Sequence, residues 1–420
     1  MSASRTNGDN MSKGVYLLGG WQSDFARNWA REGRELADGM QEVVAQGLDA
    51  TGLDAADVDT IHVGNFAAEL FCNQGHLGGL AAAAHPSFAG KPASRHEGAC
   101  ASGSLAALAA AAEIEAGRYE LAAVIGIEQM RNVPGDQAAK LIGAAAMWSG
   151  HECVDVRFPW PHVFSELIDE YDRRYGIDLK YLSRIAEINF SNGRRNANAQ
   201  TRRWKFEPES FSADDDANPV IDGRIRKQDC GQITDGAAVI FLASENYARR
   251  YAMRHGAAAS IAKVAGWGHR TAPITYEAKI AASRHAPYVF PFVRATIEDA
   301  YRRAGISGVD DLDGIETHDC FTSTEYMAID HFGITPPGQS WRAIEHGDIE
   351  MDGRIPVNPS GGLIGLGHPV GATGTRMLLD CWKQVTDRAG DYQVEGARRF
   401  ATLNVGGSAT TTVSFVVSRD

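Results

Sequence analysis

The sequence predicts an α/β protein of two similar halves, with a mostly helical lobe inserted into the first. Three observations predict it. Strand-like and helix-like patterns alternate from residue 14 to about 130, which argues for a layered unit with a largely parallel sheet. The alternation stops between 131 and 229, where aromatics, charges and Asn dominate and strand signals are few. It then resumes, and both halves follow one order: strand, polar loop, small-residue loop, buried helix. A chain of 420 residues has ample core for two or three lobes.

Taken in order, residues 1–13 read as a disordered lead. Gly14–Gly20 is the first strand, residues 34–50 have helical spacing, and Thr60–Asn65 is the next strand. After Ser102 the chain runs LAALAAAAEIEAG. Small residues cover every face of that helix, so it is buried all round, with Gly117 as its stop. LAAVIGI after it is a buried strand. Residues 14–130 with 230–257 form the N-terminal half. The inserted lobe, 131–229, holds helices around SELIDEYDRRYG and YLSRIAEINFSNGRRNANA and ends in a loop-like tail, SADDDANPVIDGRIRK. Residues 258–420 form the C-terminal half: a helix closed by Gly305, the strand Gly314–Thr317, the helix TRMLLDCWKQV, and a final hairpin turning at Val405-Gly406-Gly407.

Composition excludes several classes. A net charge of −12 without a basic stripe argues against a nucleic-acid partner. Cys72, Cys100, Cys153, Cys230, Cys320 and Cys381 form no C-x-x-C pair, which argues against zinc or a disulfide framework. Cys72/His76 and His151/Cys153 lack third and fourth metal ligands, so no metal is expected. No apolar run nears the ~20 residues of a membrane span. The N-terminus has no signal core and the C-terminus no sorting tripeptide, so the expectation is cytoplasmic.

The chemistry sits in loops. Cys100 lies where a loop enters the buried helix. Alone it reads as a core thiol. As a nucleophile it would gain from the helix N-terminus, which lowers a thiol pKa. Gly365-Leu366-Gly367 lacks the G-K-[ST] of a phosphate loop, and His368-Pro369 follows instead. His318 and Cys320 form a second pair after a strand. Acyl transfer needs a thiolate, a base to form it, a second acid/base and N–H donors for an oxyanion, and these loops carry all four. Glycines beside His368 and at 406–407 would let backbone approach a thioester. The basic run from Arg194 to Lys205 is either a solvated face or a seat for coenzyme A phosphates, through Arg194, Arg195, Arg202 and Arg203.

Together, EGACASGS around Cys100, NPSGGLIGLGHPVGATG and the terminal NVGG resemble the three signature regions of the thiolase family. His318-Asp319-Cys320-Phe321 resembles the HDCF loop of its sterol-carrier-protein-type members. The resemblance spans residues 14–420 and implies a five-layered α-β-α-β-α core with a loop lobe over an acyl-CoA site, in a dimer or tetramer. It implies Cys100 as acyl acceptor, His368 as its base, Cys320 as second acid/base and His318 in a first oxyanion site. The N–H groups of Cys100 and Gly406 would form a second. Asn404-Val405-Gly406 stands where common thiolases have Cys-x-Gly, so the reaction leans on Cys320. No permanent cofactor is implied; coenzyme A and acyl-CoA are substrates. The activity implied is acyl-CoA thiolysis or Claisen condensation. The alternatives are an acyltransferase using a non-CoA acceptor, with or without a partner protein, and a catalytically silent lipid- or CoA-binding scaffold.

Overall fold

The computed structural model describes residues 14–419; the expected lead at 1–13 lies outside the described residues. The first half holds β1 (Val15–Gln22), α1 (Leu36–Thr51), β2 (Thr60–Gly64), α2 (Ala68–Cys72), α3 (Leu77–Ala82), β3 (Ala93–His96), α4 (Ser102–Glu115) and β4 (Leu121–Glu128). A lobe of α5 (Gly135–Ala146), α6 (Pro159–Tyr175) and α7 (Lys180–Arg195) follows, with a ribbon of β5 (Val220–Asp222) and β6 (Ile225–Arg226). That ribbon lies in the segment whose Asp, Asn and Gly content reads as loop. Then β7 (Gly236–Ser244) and α8 (Glu245–His255) complete the half. The second half holds β8 (Ala262–Thr271), α9 (Tyr276–Ala282), α10 (Pro291–Ala304), β9 (Gly314–Thr317), α11 (Thr322–Phe332), α12 (Ser340–Glu345), α13 (Thr373–Val385), β10 (Arg399–Gly406) and β11 (Thr411–Ser418).

Hydrogen bonds link nine strands in the order β3-β2-β4-β7-β1-β8-β11-β10-β9. The order shows the duplication. A parallel bridge from Ile315 to Val357 extends the second half beyond β9, so both halves share one strand arrangement. In each half the sheet is largely parallel, as expected, with one exception. In each half one strand, β7 or β11, runs against the others. The reason is connectivity: β11 follows β10 through a tight hairpin, which forces antiparallel pairing, and β7 enters from the lobe rather than from a crossover helix.

Three apolar clusters define the layers. One joins α1 and α8 to the outer face of the first sheet. One packs α4 and α13 between the two sheets. One joins α10 and α11 to the outer face of the second and runs on into α6 and α7. The layers are therefore α-β-α-β-α, with α4 and α13 in the middle. Among the described residues no helix is long and apolar enough to cross a membrane.

Candidate active site

Both middle helices begin in tight turns, and both turns carry candidate residues. Ala99–Ala101 form the turn into α4, with Ala99 at φ +51°, in the left-handed region that non-glycine residues seldom occupy. Ser102 ties the turn shut. Its Oγ–H donates to Ala99 O at 2.6 Å, and its Oγ accepts from the Gly98 N–H at 3.1 Å. Cys100 is thereby held in the middle of the turn. The Gly407 N–H bonds to its sulfur, one residue beyond Gly406, the glycine that the family pattern implies. Gly406 packs flat on the turn, where a Cβ would meet Gly98 O at 2.0 Å.

His368 lies before the turn into α13. Its Nδ1 is 2.7 Å from Thr373 Oγ1, whose own proton goes to Pro369 O at 3.1 Å. The hydroxyl can therefore only accept, so Nδ1 carries the ring proton and Nε2 is bare. Nε2 is buried without a hydrogen-bond partner. A base needs such a lone pair.

His318 follows β9. Leu403 of β10 pairs with Thr317 of β9, so the next residues, Asn404 and His318, lie side by side. The Asn404 amide N–H donates to His318 Nδ1 at 3.2 Å, and its Oδ1 accepts from Ser104 Oγ–H at 2.9 Å. Ser104 thus orients the amide, and the amide leaves His318 with its proton on Nε2. The two imidazoles are opposite tautomers: His318 offers a donor, His368 an acceptor. Their rings meet edge-on, 5.2 Å apart. One ring nitrogen of each, with Cys100 Sγ, falls within 4.8 Å of the others. A metal would need a lone pair from His318, and Asn404 occupies one nitrogen while the proton holds the other.

Cys320 lies near the same thiol and lines, with Cys100, His368 and Gly407, a cavity of about 160 Å³. Its sulfur is 4.0 Å from Thr324 Oγ1. Asp319 anchors this loop by accepting from Leu363 N–H (2.6 Å), Ile364 N–H (3.1 Å) and Asn189 Nδ2 (2.9 Å). Two glycines flanking the His368 segment serve close packing. A Cβ on Gly365 would lie 2.2 Å from Asn189 O, and one on Gly374 2.3 Å from Ser104 N.

Burial sets the resting protonation. It pushes the Cys100 thiol up to about 12, and the Gly407 N–H only partly offsets this. The expected lowering by the helix N-terminus is reversed, because removal from water outweighs the dipole. Burial likewise raises Cys320, with Cys100 beside it, and lowers His368 to about 3, helped by the Arg376 charge. His318 falls well below its usual value through burial, then His368 and Arg376. The resting site is a neutral thiol beside neutral imidazoles.

The four arginines do not join this site. Arg194 and Arg195 line a separate cavity of about 440 Å³ with Glu187, Glu207, Glu350 and Asp352. Arg202 is committed to Asp24 at 2.7 and 2.8 Å, and Arg203 is exposed. None lines the Cys100 cavity. Sequence reasoning missed Thr373, Ser104 and the positioning use of Asn404. A hydroxyl five residues after His368 is a faint signal; the Asn404 contact spans 86 residues and has none.

Residues 30–201 match the family model described as thiolase, N-terminal domain, and residues 276–419 the one described as thiolase C-terminal domain-like. Over 408 residues the chain is 30% identical to the acetyl-CoA acetyltransferase of Methanothermobacter thermautotrophicus, covering 96% of this chain and 99% of that one. It is 26% identical over 416 residues to human sterol carrier protein 2, covering 95% of this chain and 71% of that protein. The solved Ltp2-ChsH2(DUF35) aldolase aligns with a TM-score of 0.77 over 97% of this chain and 98% of its own, at 18% identity, a likeness of fold alone. With the two domain matches and a relative 30% identical over nearly its whole length, the chain belongs to the thiolase family.

Proposed function

We propose that this protein is an acyl-CoA thiolase, cleaving a 3-oxoacyl-CoA with coenzyme A or joining two acyl-CoAs in the reverse Claisen condensation. The observation that carries the reading is the convergence of Cys100, His318 and His368 within 4.8 Å, beside a cavity that Cys320 also lines.

The residues divide the work as follows. His368 Nε2 takes the Cys100 proton as the sulfur attacks the 3-oxo carbon; with a resting thiol, proton transfer accompanies attack. The N–H groups of Cys100 and of the Gly406–Gly407 turn stabilise the alkoxide. The C2–C3 bond then breaks, leaving the acyl group on Cys100. The departing acetyl-CoA enolate, its oxygen held by His318 Nε2–H, takes a proton at C2 from Cys320. Coenzyme A returns that proton to Cys320 and attacks the acyl-enzyme, and Cys100 leaves with the proton held by His368. Every proton is restored. Action in the cytoplasm and assembly as a homodimer or tetramer are part of the same proposal, the assembly resting on the family; light scattering tests it.

Intact-protein mass spectrometry with acetyl-CoA and 3-oxoacyl-CoAs tests the reading. The expected result is a Cys100 adduct reversed by coenzyme A; no adduct from any thioester would overturn it. Cys320→Ala is expected to acquire the acyl group yet lose thiolysis and condensation by about 10²–10⁴-fold, the usual worth of a positioned acid/base.

A further inference from the structure

Glu128 ends β4 and is wholly buried. Four N–H donors hold its carboxylate. Oε1 accepts from Asn65 Nδ2–H at 2.9 Å and from the Ala67 N–H at 3.2 Å. Oε2 accepts from the Phe66 N–H at 2.9 Å and from the Gly371 N–H at 3.0 Å. Three of these donors lie in the loop after β2; the fourth lies in the Val370–Ala372 turn, which His368 and Pro369 lead into α13. The carboxylate therefore ties the half that carries Cys100 to the turn that carries the base. Backbone meets backbone on both sides of it. A Cβ on Gly371 would lie 2.6 Å from Asn65 Cα, and one on Gly126 2.6 Å from Ala372 Cα. A shift of the loop is thus passed to the turn, and Val370 of that turn lines the cavity with Cys100 and His368.

This cradle has no place for a proton. Three donors are backbone groups. The fourth, the Asn65 amide, is fixed in its orientation, because Nδ2 also donates to Ile127 O at 2.8 Å and Oδ1 accepts from the Ala68 N–H at 3.2 Å. A protonated carboxyl would turn its hydroxyl towards a donor, and a bond would be lost. Burial raises the Glu128 carboxyl to about 7, against the backbone N–H groups and the Arg95 charge. The titratable groups around it are Arg95 of β3, Cys100, and Cys72 of α2, which Asp235 also faces. Arg95 clamps the same loop from its other side, donating to Phe66 O at 2.8 Å.

We propose that Glu128 is a positioning residue of the transfer reaction: its carboxylate holds the loop after β2 and the His368 turn together, and it loses that hold on taking up a proton. This inference rests on the acyl-transfer reading and adds a residue and a pH dependence to it. The ionised, clamping form predominates above about pH 7 and gives way below it. Cys100, at about 12, and His368, at about 3, do not titrate there.

The test compares the full chain with Glu128→Gln in single-turnover acylation by acetyl-CoA, read by intact mass between about pH 5.5 and 8.5. Burial raises Glu316 and Asp319 as well, so the readout is the ratio of wild-type to variant rate, which cancels them. At about pH 8 the variant is expected to reach a maximal rate about tenfold lower, at an unchanged half-saturating concentration, since slight misplacement of a reacting group costs rate rather than binding. The ratio is expected to fall towards one as pH drops through about 7. A ratio constant with pH, or a variant as fast as the wild type or faster at about pH 8, would overturn the inference and leave the acyl-transfer reading standing. No wild-type adduct from acetyl-CoA or any 3-oxoacyl-CoA would overturn that reading instead. Hydrogen exchange at Gly371 in the wild type needs neither turnover nor a folded variant. Corrected for intrinsic rate, its protection is expected to fall about tenfold from about pH 8 to 6; unchanged protection would also overturn the inference.

Discussion

The two middle-layer helices occupy equivalent places in the two halves and are built from opposite materials. α4 is SGSLAALAAAAEIE, packed through Ala106, Ala107, Ala110 and Ile114. α13 is TGTRMLLDCWKQV and is the more buried of the two, since α4 leaves Ala112 and Glu115 exposed, yet it takes Arg376, Asp380 and Gln384 into the interior. Arg376 Nη1 reaches Glu316 on β9 at 2.8 Å and Asp380 at 3.2 Å. Asp380 in turn accepts from Lys383 and Tyr392 at 3.0 and 2.8 Å. Each helix is entered by a turn that presents a reacting group, Cys100 in one half and His368 in the other. Duplication thus supplied one scaffold twice, and the residues set into its two entry turns diverged into nucleophile and base.

The sharpest way to break the symmetry of roles is to remove each group. Cys100→Ala is expected to give no acyl-enzyme and to lower turnover on the order of 10⁴-fold or more, since it removes the thiol that lies within 4.8 Å of ring nitrogens of His318 and His368. His368→Ala is expected to be acylated still, about 10²–10⁴-fold more slowly. Intact mass over time separates the two. Labelling of Cys100→Ala at another cysteine would reassign the nucleophile.

Packing is the next contrast. Arg376→Met leaves Glu316 buried without its cation and Asp380 with Lys383 alone, and is expected to cost about 3–5 kcal/mol in urea unfolding. Ala110→Leu in α4 overfills a carbon-only layer and is expected to cost less, about 1–3 kcal/mol. Equal costs would mean that the ion network of α13 stabilises no more than close packing does.

That same contrast explains what was legible. The burial of α4 was readable only in part: the face of Ala106, Ala107, Ala110, Ala111 and Ile114 is buried, but the helix is not buried all round, with Ala112 and Glu115 exposed and Leu105, Leu108, Ala109 and Glu113 half-buried. α13 reads as amphipathic, with charges at 376 and 380 one turn apart; its burial depends on Glu316, sixty residues earlier, which no local pattern reveals. The reacting residues were readable as motif, since acyl-transfer chemistry restricts them to a few loop types. Their protonation was not. The helix N-terminus at Cys100 is a local feature, while the burial that outweighs it is assembled from the cluster of Phe71, Met130, Ile142 and Val370, far apart in the chain. Asn404 read as a missing cysteine; only strand register shows it beside His318.

The reversed thiol shift makes a prediction about pH. A thiol raised to about 12 has a thiolate fraction that climbs tenfold per pH unit below that value. Iodoacetamide alkylation of Cys100 in the free enzyme is therefore expected to rise about tenfold per unit between about pH 7 and 10 without a plateau. Peptide mapping of the modified cysteine follows it. A plateau beginning below about pH 8 would mean a thiolate–imidazolium pair at rest, and the helix N-terminus would then outweigh burial after all.

The smallest effect tests how the two imidazoles are kept different. Thr373 fixes His368 from within its own turn, whereas His318 depends on Asn404 across the sheet and, through it, on Ser104 of α4. Asn404→Leu removes the donor to Nδ1, so the Nε2–H form loses its advantage. One neutral hydrogen bond is worth about 1 kcal/mol, so kcat is expected to fall about fivefold with KM little changed, and the His318 ring ¹⁵N shifts to show both tautomers. Ser104→Ala keeps the amide but frees it to turn, and is expected to cost less, about twofold. A Ser104→Ala loss as large as that of Asn404→Leu would put control in the amide's orientation. Unchanged ¹⁵N shifts in both variants would mean that burial beside His368 selects the tautomer unaided.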